Sequence, residues 1–252
     1  MIKKLIVLLF VAFVSQGQNS FEKKSFTTKE GQNLPYQILL PKDYKPGNKY
    51  PLVVVLHGAG ERGTDNEAQM KYGKNVFLDS LNRINFPAIV IFPQCPKESY
   101  WSSVKINRAT VPTTFVFDYS APINWPLQAV IDLVKSTKHD KKRTYIMGLS
   151  MGGMGTMEAV SRNPKMFAAA NPICGGADLS YVAKYAKRVP LWIHHGDADI
   201  VVPVRHSREL VKAVQDQGVE VRYSEYAGVN HNSWENAFKQ ADLLSWLFSH
   251  RK

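Results

Sequence analysis

The chain of 252 residues is 44% hydrophobic and 21% charged, and its formal net charge is +11 at pH 7. This composition provides enough apolar residues for a full core and excludes an intrinsically disordered protein. The basic residues are spread along the chain and no nucleic-acid-binding motif is present, so we expect no nucleic-acid partner.

The first 17 residues have the pattern of a secretory signal peptide. A basic start at residues 1–4 precedes an apolar run at residues 5–14, and Ser15 and Gly17 are the small residues expected before a cleavage site. The run is too short to span a bilayer, so we expect cleavage, no stable membrane insertion, and a secreted or periplasmic protein. An uncleaved N-terminal anchor is the alternative.

Residues 18–252 contain no linker-like segment and are expected to form a single domain. Two early strands, separated by a turn at residues 30–33, indicate an antiparallel pair at a sheet edge. The continuous apolar runs that follow are typical of strands buried on both faces of a parallel sheet. The predicted strands are residues 23–27, 36–40, 51–56, 88–92, 144–147, 168–173, 191–194 and 219–226.

Helical patterns alternate with these strands, at residues 125–138, 151–162 and 207–217, and a last helix is expected to begin at Ser233. The alternation predicts a three-layer α/β fold, with helices on both faces of a mostly parallel sheet. The long segment at residues 96–124 fits no clean period, and insertions of this kind tend to cover a site.

The junction of a predicted strand and helix carries Gly148-Leu149-Ser150-Met151-Gly152. This G-x-S-x-G pattern favours a serine nucleophile on a tight bend, because glycine on either side removes the Cβ atoms that would collide there. A glycine-rich turn without chemical purpose is the alternative.

A serine nucleophile needs a base and an orienting acid, and in this topology they follow in the order Ser, acid, His at strand ends. Residues 191–195 run into Asp197 and Asp199, and residues 219–226 run into His231. We expect His231 to be the base, and Asp197 and Asp199 are the candidates for the acid.

The motifs together resemble the α/β-hydrolases. The similar segments are LHGAGERGTDN (56–66), FPQCP (92–96), GLSMGGMGT (148–156), PICGGAD (172–178), HHGDADIVVP (194–203) and GVNHNSW (228–234). More narrowly, the chain resembles secreted single-domain carboxylesterases, often labelled predicted peptidase or phospholipase/carboxylesterase. These are related to polyhydroxybutyrate depolymerases and to feruloyl and acetyl-xylan esterases.

The resemblance implies that Asp199, the second Asp of the H-G-x-x-D pattern, is the acid, and that Asp197 is a hydrogen-bonded turn residue. It also implies an oxyanion hole and a substrate pocket. The backbone N–H of Met151 is one expected oxyanion donor, and the L-H-G-x motif implies that of Ala59 as the second. We expect Glu61 and Arg62 to form an ion pair that stiffens this loop, with contact to a polar substrate as the alternative. Gln94, Tyr100 and Trp101 are candidates for the pocket wall or for packing.

The remaining histidines and the two cysteines are expected to have structural roles. We expect His57 and His195 in loops at strand ends and His139, His206 and His250 at the surface, with no metal site because no pair has supported ligand spacing. Strand spacing places Cys95 and Cys174 about 14 Å apart, which predicts two free, semi-buried thiols.

These observations predict a secreted serine hydrolase that cleaves carboxylic esters without a cofactor. Its substrate would be a small-molecule or polysaccharide-linked ester, of feruloyl, acetyl-xylan or polyester type. A serine peptidase of the prolyl-oligopeptidase type is the alternative enzyme, and a non-catalytic binding protein on the same fold is the alternative of another class. The sequence leaves the oligomeric state open.

Overall fold

The computed structural model describes residues 20–252, so the predicted signal peptide lies outside the described residues. Ten strands are present in this part of the chain: β1 (Glu22–Thr27), β2 (Asn33–Leu39), β3 (Leu52–Leu56), β4 (Ile89–Pro93), β5 (Val104–Asn107), β6 (Thr114–Phe117), β7 (Thr144–Leu149), β8 (Ala169–Ile173), β9 (Trp192–Gly196) and β10 (Arg222–Tyr226). Eight of them form one sheet in the order β1-β2-β4-β3-β7-β8-β9-β10.

The sheet is antiparallel at its N-terminal edge, where β1 pairs with β2 and β2 with β4, and parallel from β4 to β10. Eight helices accompany it in the described chain: α1 (Lys74–Leu78), α2 (Ser80–Asn85), α3 (Trp125–Ser136), α4 (Met151–Arg162), α5 (Val182–Tyr185), α6 (Arg205–Gln215), α7 (Trp234–Phe238) and α8 (Leu243–Ser249). The predicted sheet and the predicted helices near residues 125, 151 and 207 are confirmed.

The core lies on both faces of the sheet. Along β3, Leu52, Val54 and Leu56 pack into one apolar cluster, whereas Val53 and Val55 pack into another. Residues of α3, α4 and α6 complete the first cluster, and residues of α1 and α8 complete the second. Each side of the pleat is therefore buried, which explains why β3 is a continuous apolar run and not an alternating one.

The prediction of one long C-terminal helix is wrong, because the segment is divided into α7 and α8. Ala237 of α7 packs with Ile173 and Cys174, whereas Leu244 and Leu247 of α8 pack into the second large cluster. The two halves therefore bury their apolar faces against different parts of the core. The intervening residues contain no Gly or Pro that would have indicated the break.

The segment at residues 96–124 contains a hairpin where the sequence suggested no regular structure. Strands β5 and β6 pair antiparallel and form a small separate sheet. Phe115 and Phe117 pack edge-on against His206 of α6, with ring centroids 5.5 and 5.7 Å away. At the base of the insertion, Glu158 of α4 accepts hydrogen bonds from the Ser103 N–H and hydroxyl. The hairpin is thereby held over the end of the parallel sheet.

Cys95 follows β4 and Cys174 follows β8, so that β3 and β7 lie between them, and both are free thiols as predicted. They are fully buried, not semi-buried. Burial raises the pKa of Cys95 to about 12 and also raises the pKa of Cys174, which keeps both thiols protonated.

No helix within residues 20–252 has the length and apolar character needed to cross a membrane.

Candidate active site

Ser150 lies at the sharp junction between β7 and α4. Its backbone has φ 53° and ψ −117°, a conformation that is strained for any residue with a side chain. A Cβ atom at Gly148 would lie 2.3 Å from the Gly152 carbonyl oxygen, and one at Gly152 would lie 2.0 Å from the Leu56 oxygen. The bend around Ser150 therefore requires glycine at both flanking positions.

The three residues predicted to form a triad are brought together by hydrogen bonds. His231 Nε2 lies 2.8 Å from Ser150 Oγ, and His231 Nδ1 lies 2.7 Å from Asp199 Oδ2. Because an ionised carboxylate only accepts, Nδ1 carries the proton, which leaves Nε2 free to accept from the serine hydroxyl. The Trp234 ring packs edge-on against His231 at 5.4 Å and limits its rotation.

Asp199 is buried and fully hydrogen-bonded. Its Oδ1 accepts the N–H groups of Val201 and Val202 at 2.8 and 2.9 Å. Its Oδ2 accepts from His231 and lies 3.2 Å from His195 Nε2. Burial alone would raise the pKa of Asp199, but the hydrogen bonds from His195 and His231 outweigh it and hold that pKa below the usual range. Asp199 is therefore ionised opposite His231.

Asp197, the rival acid, has a turn role. Its Oδ1 accepts the Gly228 N–H at 2.7 Å and does not contact the imidazole of His231. The same two loops meet where the Ala198 N–H donates to the Val229 carbonyl, and a Cβ at Gly196 would lie 2.1 Å from that oxygen. Close packing of these loops fixes the distance between acid and base.

His195 is a neighbour of the acid that the sequence interpretation placed in a loop. It lies in β9, where its Nδ1 is 2.7 Å from Ser207 Oγ and its Nε2 is 2.9 Å from the Val202 carbonyl oxygen. Nε2 faces two acceptors, the Val202 carbonyl and Asp199, so we assign its proton there. His195 thus donates a second hydrogen bond to Oδ2, the same oxygen of Asp199 that accepts from His231.

The two predicted oxyanion donors occupy equivalent positions. Met151 is the first residue of α4, and Ala59 is the first residue of a 3-10 turn, Ala59–Glu61, so neither N–H is used within its own helical turn. His57 Nε2 accepts the Cys95 N–H, which places the proton on Nδ1, and Nδ1 donates to the Gly58 carbonyl at 2.6 Å. In a planar trans peptide, the Ala59 N–H points opposite to that carbonyl. His57 therefore fixes the direction of the Ala59 N–H.

The predicted ion pair between Glu61 and Arg62 is not formed. Arg62 instead donates to the backbone carbonyls of Ala59, Lys97 and Ser99, and so ties the loop after β3 to the segment after β4. Glu61 is 7% exposed, and its Oε2 lies beside Gly58. Burial raises the pKa of Glu61 above its ordinary value.

Of the three pocket candidates after β4, one lines the cavity and two support the loop beneath it. Tyr100 borders the cavity that contains Ser150. Gln94 is buried and donates to the Glu61 carbonyl oxygen at 3.2 Å. Trp101 is also buried and donates its ring N–H to the His57 carbonyl oxygen at 3.1 Å. The structure thus assigns Gln94 and Trp101 to packing.

The cavity beside Ser150 has a volume of about 320 Å³. The sequence interpretation identified part of its lining, and the fold adds side chains from distant segments. The additional lining residues are Tyr72, Arg108, Thr113, Phe115, Val201, Val202 and Trp234. A larger cavity of about 540 Å³ borders Thr144, at the opposite end of β7. Its lining pairs the Thr144 hydroxyl with His139, but the other ring nitrogen of this histidine faces the Thr137 carbonyl and not a carboxylate. The chemistry therefore belongs to the smaller cavity.

Two of the histidines expected at the surface are buried. His139 is 5% exposed and contacts the Thr137 carbonyl and the Thr144 hydroxyl through its two ring nitrogens. His206 is 8% exposed, and its Nε2 has no hydrogen-bond partner within residues 20–252. His250 is half-buried. Such histidines stay neutral in the folded protein, and the free energy of unfolding therefore depends on pH.

We expect the protein to lose stability as the pH falls from about 6.5 to 4.5. Burial lowers the pKa of His57 and His206 to about 4 and that of His194 to about 3, from an ordinary 6.5. In this range the unfolded chain binds more protons, so the free energy of unfolding falls by about 3 kcal/mol per pH unit near pH 5. The raised pKa of Glu61 acts in the opposite sense, by no more than one proton.

Urea denaturation at pH 7.5, 6 and 5 measures this dependence. His206→Gln removes one of these groups and should reduce the slope by about 1 kcal/mol per pH unit near pH 5. A free energy of unfolding that is constant from pH 7 to 5 would contradict the buried neutral state of these histidines.

Comparisons with known proteins find related esterases. The Esterase family, described as "Putative esterase", matches residues 27–199, and the prolyl oligopeptidase family matches residues 176–251. The chain is similar to the crystal structure of a thermostable esterase, with 40% identity and a TM-score of 0.82, over 92% of this chain and 63% of that one.

Two curated relatives are more distant. The chain is 24% identical over 192 residues to the bifunctional acetylxylan esterase/xylanase XynS20E of Neocallimastix patriciarum, covering 76% of this chain but only 25% of that protein. It is 23% identical over 214 residues to the carboxylesterase SOBER1 of Arabidopsis thaliana, covering 77% of this chain and 88% of that protein. The chain thus spans about a quarter of the first relative and most of the second.

Proposed function

We propose that this chain, which belongs to the esterase family of the α/β-hydrolases, hydrolyses carboxylic esters through a covalent acyl-enzyme on Ser150. The observation that carries the proposal is the continuous hydrogen-bond chain from Ser150 Oγ through His231 to the ionised Asp199. A nucleophile, a base and an orienting acid in this arrangement are the machinery of acyl transfer.

In the first half of the reaction, Ser150 Oγ attacks the ester carbonyl carbon while its proton moves to His231 Nε2. Asp199 holds the imidazole in the tautomer that accepts this proton and stabilises the imidazolium that results. The N–H groups of Ala59 and Met151 receive the oxyanion, and loss of one such donor typically costs about 3 kcal/mol of transition-state stabilisation. His231 then protonates the departing alcohol oxygen, and the ester C–O bond breaks.

In the second half, a water molecule takes the place of the alcohol. His231 removes its proton as the water oxygen attacks the acyl carbon, and the same two N–H groups bind the second oxyanion. Collapse of that intermediate returns the proton to Ser150 Oγ and releases the carboxylic acid. Each step uses only groups of this chain, the ester and water.

The size and lining of the cavity limit which esters can bind beside Ser150. Its volume of about 320 Å³ lies at the small end of the range for ligand pockets, which suits an acyl group of modest size. Tyr72, Tyr100, Phe115 and Trp234 make much of the wall aromatic. We propose acetyl, short acyl or feruloyl esters of small alcohols or polysaccharides, or a polyester, as substrates, supported by the acetylxylan esterase relative. Export through residues 1–17 would give access to such substrates.

A serine peptidase is the second candidate, because residues 176–251 match the prolyl oligopeptidase family. That match covers the part of the chain that carries Asp199 and His231, and it leaves the nucleophile and the oxyanion loop outside. The longer match to the esterase family includes both of those features. Direct comparison of esters with peptide amides separates the two activities.

The test is labelling of the exported protein with a fluorophosphonate, followed by intact-mass and peptide analysis. We expect one adduct, on Ser150, and a protein mass that lacks residues 1–17. A panel of nitrophenyl esters of increasing acyl length, feruloyl and acetyl-xylan esters and peptide amides should then show ester hydrolysis. Absence of the adduct would favour a non-catalytic binding protein, and activity on amides alone would favour the peptidase.

A further inference from the structure

One wall of the cavity carries hydrogen-bond donors that the proposed reaction does not use. Tyr100, Arg108 and Thr113 all belong to the insertion at residues 96–124, and all three line the cavity with Ser150. Within the part of the chain that the structure describes, Arg108 makes no ion pair or hydrogen bond, and the Thr113 hydroxyl makes no hydrogen bond. We call these three residues the donor wall.

Tyr100 is also without a strong acceptor. Within residues 20–252, its hydroxyl makes one hydrogen bond, to Met154 Sδ at 4.0 Å, and thioether sulfur is a weak acceptor. Arg108 is close enough to lower the pKa of Tyr100, but burial has the larger effect and raises it to about 12. The hydroxyl therefore keeps its proton at neutral pH and remains a donor.

The charges around the cavity favour a ligand with a negative group. Arg108 carries a full positive charge that no carboxylate of the described residues neutralises. Glu61 is the acidic residue of the described lining, and its carboxylate lies beside Gly58 in the loop after β3, not in the insertion that carries Arg108. The net charge of +11 attracts anions to the protein as a whole.

We propose that the donor wall binds a carboxylate group of the substrate, so that the protein prefers esters that carry a negative charge near the scissile bond. The planar guanidinium of Arg108 matches the two oxygens of a carboxylate, and its single charge matches the single charge of that group. Tyr100 and Thr113 supply neutral donors beside it. This inference rests on the proposed function, because it concerns which esters Ser150 receives.

The carboxylate has two possible sources, the acyl part or the alcohol part of the ester, and two matched pairs distinguish them. The acyl pair is 4-nitrophenyl hydrogen glutarate and the isosteric neutral 4-nitrophenyl 5-oxohexanoate. The alcohol pair is 4-acetoxybenzoate and 4-acetoxybenzamide. Rates measured with Ser150→Ala are subtracted to remove spontaneous hydrolysis.

In one of the pairs, we expect kcat/KM for the anionic ester to exceed that for its neutral partner by a factor of at least about 10. A charge-assisted hydrogen bond stabilises a complex by enough to give a preference of this size. Arg108→Met should lose most of this ratio, and Arg108→Lys should keep part of it, because an ammonium lacks the bidentate fork. Lys105→Met is the matched control: Lys105 is an exposed cation of the same hairpin that does not line the cavity, and its replacement should leave the ratio unchanged.

Two results would overturn the inference alone: neutral esters hydrolysed at least as fast as their anionic partners, or a ratio that survives Arg108→Met. A ratio lost equally in Lys105→Met would assign the preference to general electrostatic attraction and would also overturn it. Absence of Ser150-dependent hydrolysis of any of the four esters would overturn the proposed function together with the inference.

Discussion

Replacing Ser150 with alanine is expected to lower kcat for 4-nitrophenyl butyrate by about 10⁶-fold, to the level that the rest of the site provides. Without Oγ there is no acyl-enzyme, and His231 Nε2 loses its partner at 2.8 Å. The Ala59 and Met151 N–H groups can still stabilise attack by water, so a small rate above the uncatalysed one should remain. Steady-state kinetics at saturating ester measures the loss.

The same substitution should leave the fold intact. Alanine at position 150 experiences the same backbone strain as serine, since both carry a Cβ at φ 53°. Ser161→Ala is a matched control, because Ser161 is a buried serine of α4 that lies outside the cavity lining. We expect both variants to unfold near the wild-type temperature and Ser161→Ala to keep its activity. Retention of more than a few per cent of the activity by Ser150→Ala would exclude this residue as the nucleophile.

The catalytic geometry could be anticipated from sequence because it obeys local steric rules and a simple topological one. Gly148 and Gly152 flank a bend where any Cβ would lie within 2.3 Å of a backbone oxygen, so the pattern itself encodes the bend. In a parallel sheet the carboxyl ends of the strands meet at one edge. Ser150, Asp199 and His231 follow β7, β9 and β10, so their order predicted that these strand ends would meet. The choice of Asp199 over Asp197 rested on the family's H-G-x-x-D pattern.

Features that depend on contacts between distant segments escaped prediction. Arg62 follows Glu61 directly, yet two of its three carbonyl partners belong to Lys97 and Ser99, 35 and 37 residues away. The strands of the hairpin, Val104–Asn107 and Thr114–Phe117, have four residues each, too few for their alternation to exceed chance. The sequence predicted that the insertion covers the site and identified Tyr100 as a pocket candidate, but it did not identify Arg108 and Thr113 of the donor wall.

Asp199→Asn is expected to lower kcat by about 10⁴-fold, the second largest effect, although it changes the volume of the side chain very little. The amide can still accept the Val201 and Val202 N–H groups through its oxygen, which directs its NH₂ group toward His231. A donor at that position forces Nδ1 to accept, so the imidazole proton moves to Nε2. His231 then faces Ser150 with an N–H and cannot take the hydroxyl proton.

Asp197→Asn provides the matched control, two residues away in the same loop. Asp197 accepts a single N–H, from Gly228, and an asparagine oxygen can accept it equally well. We therefore expect a kcat within about threefold of wild type, since such a surface substitution changes little. The reverse outcome, with Asp197→Asn inactive and Asp199→Asn active, would make Asp197 the acid. Comparable losses in both would mean that the packing of this loop against residues 228–231, and not the ionised Asp199 carboxylate alone, keeps His231 in its productive tautomer.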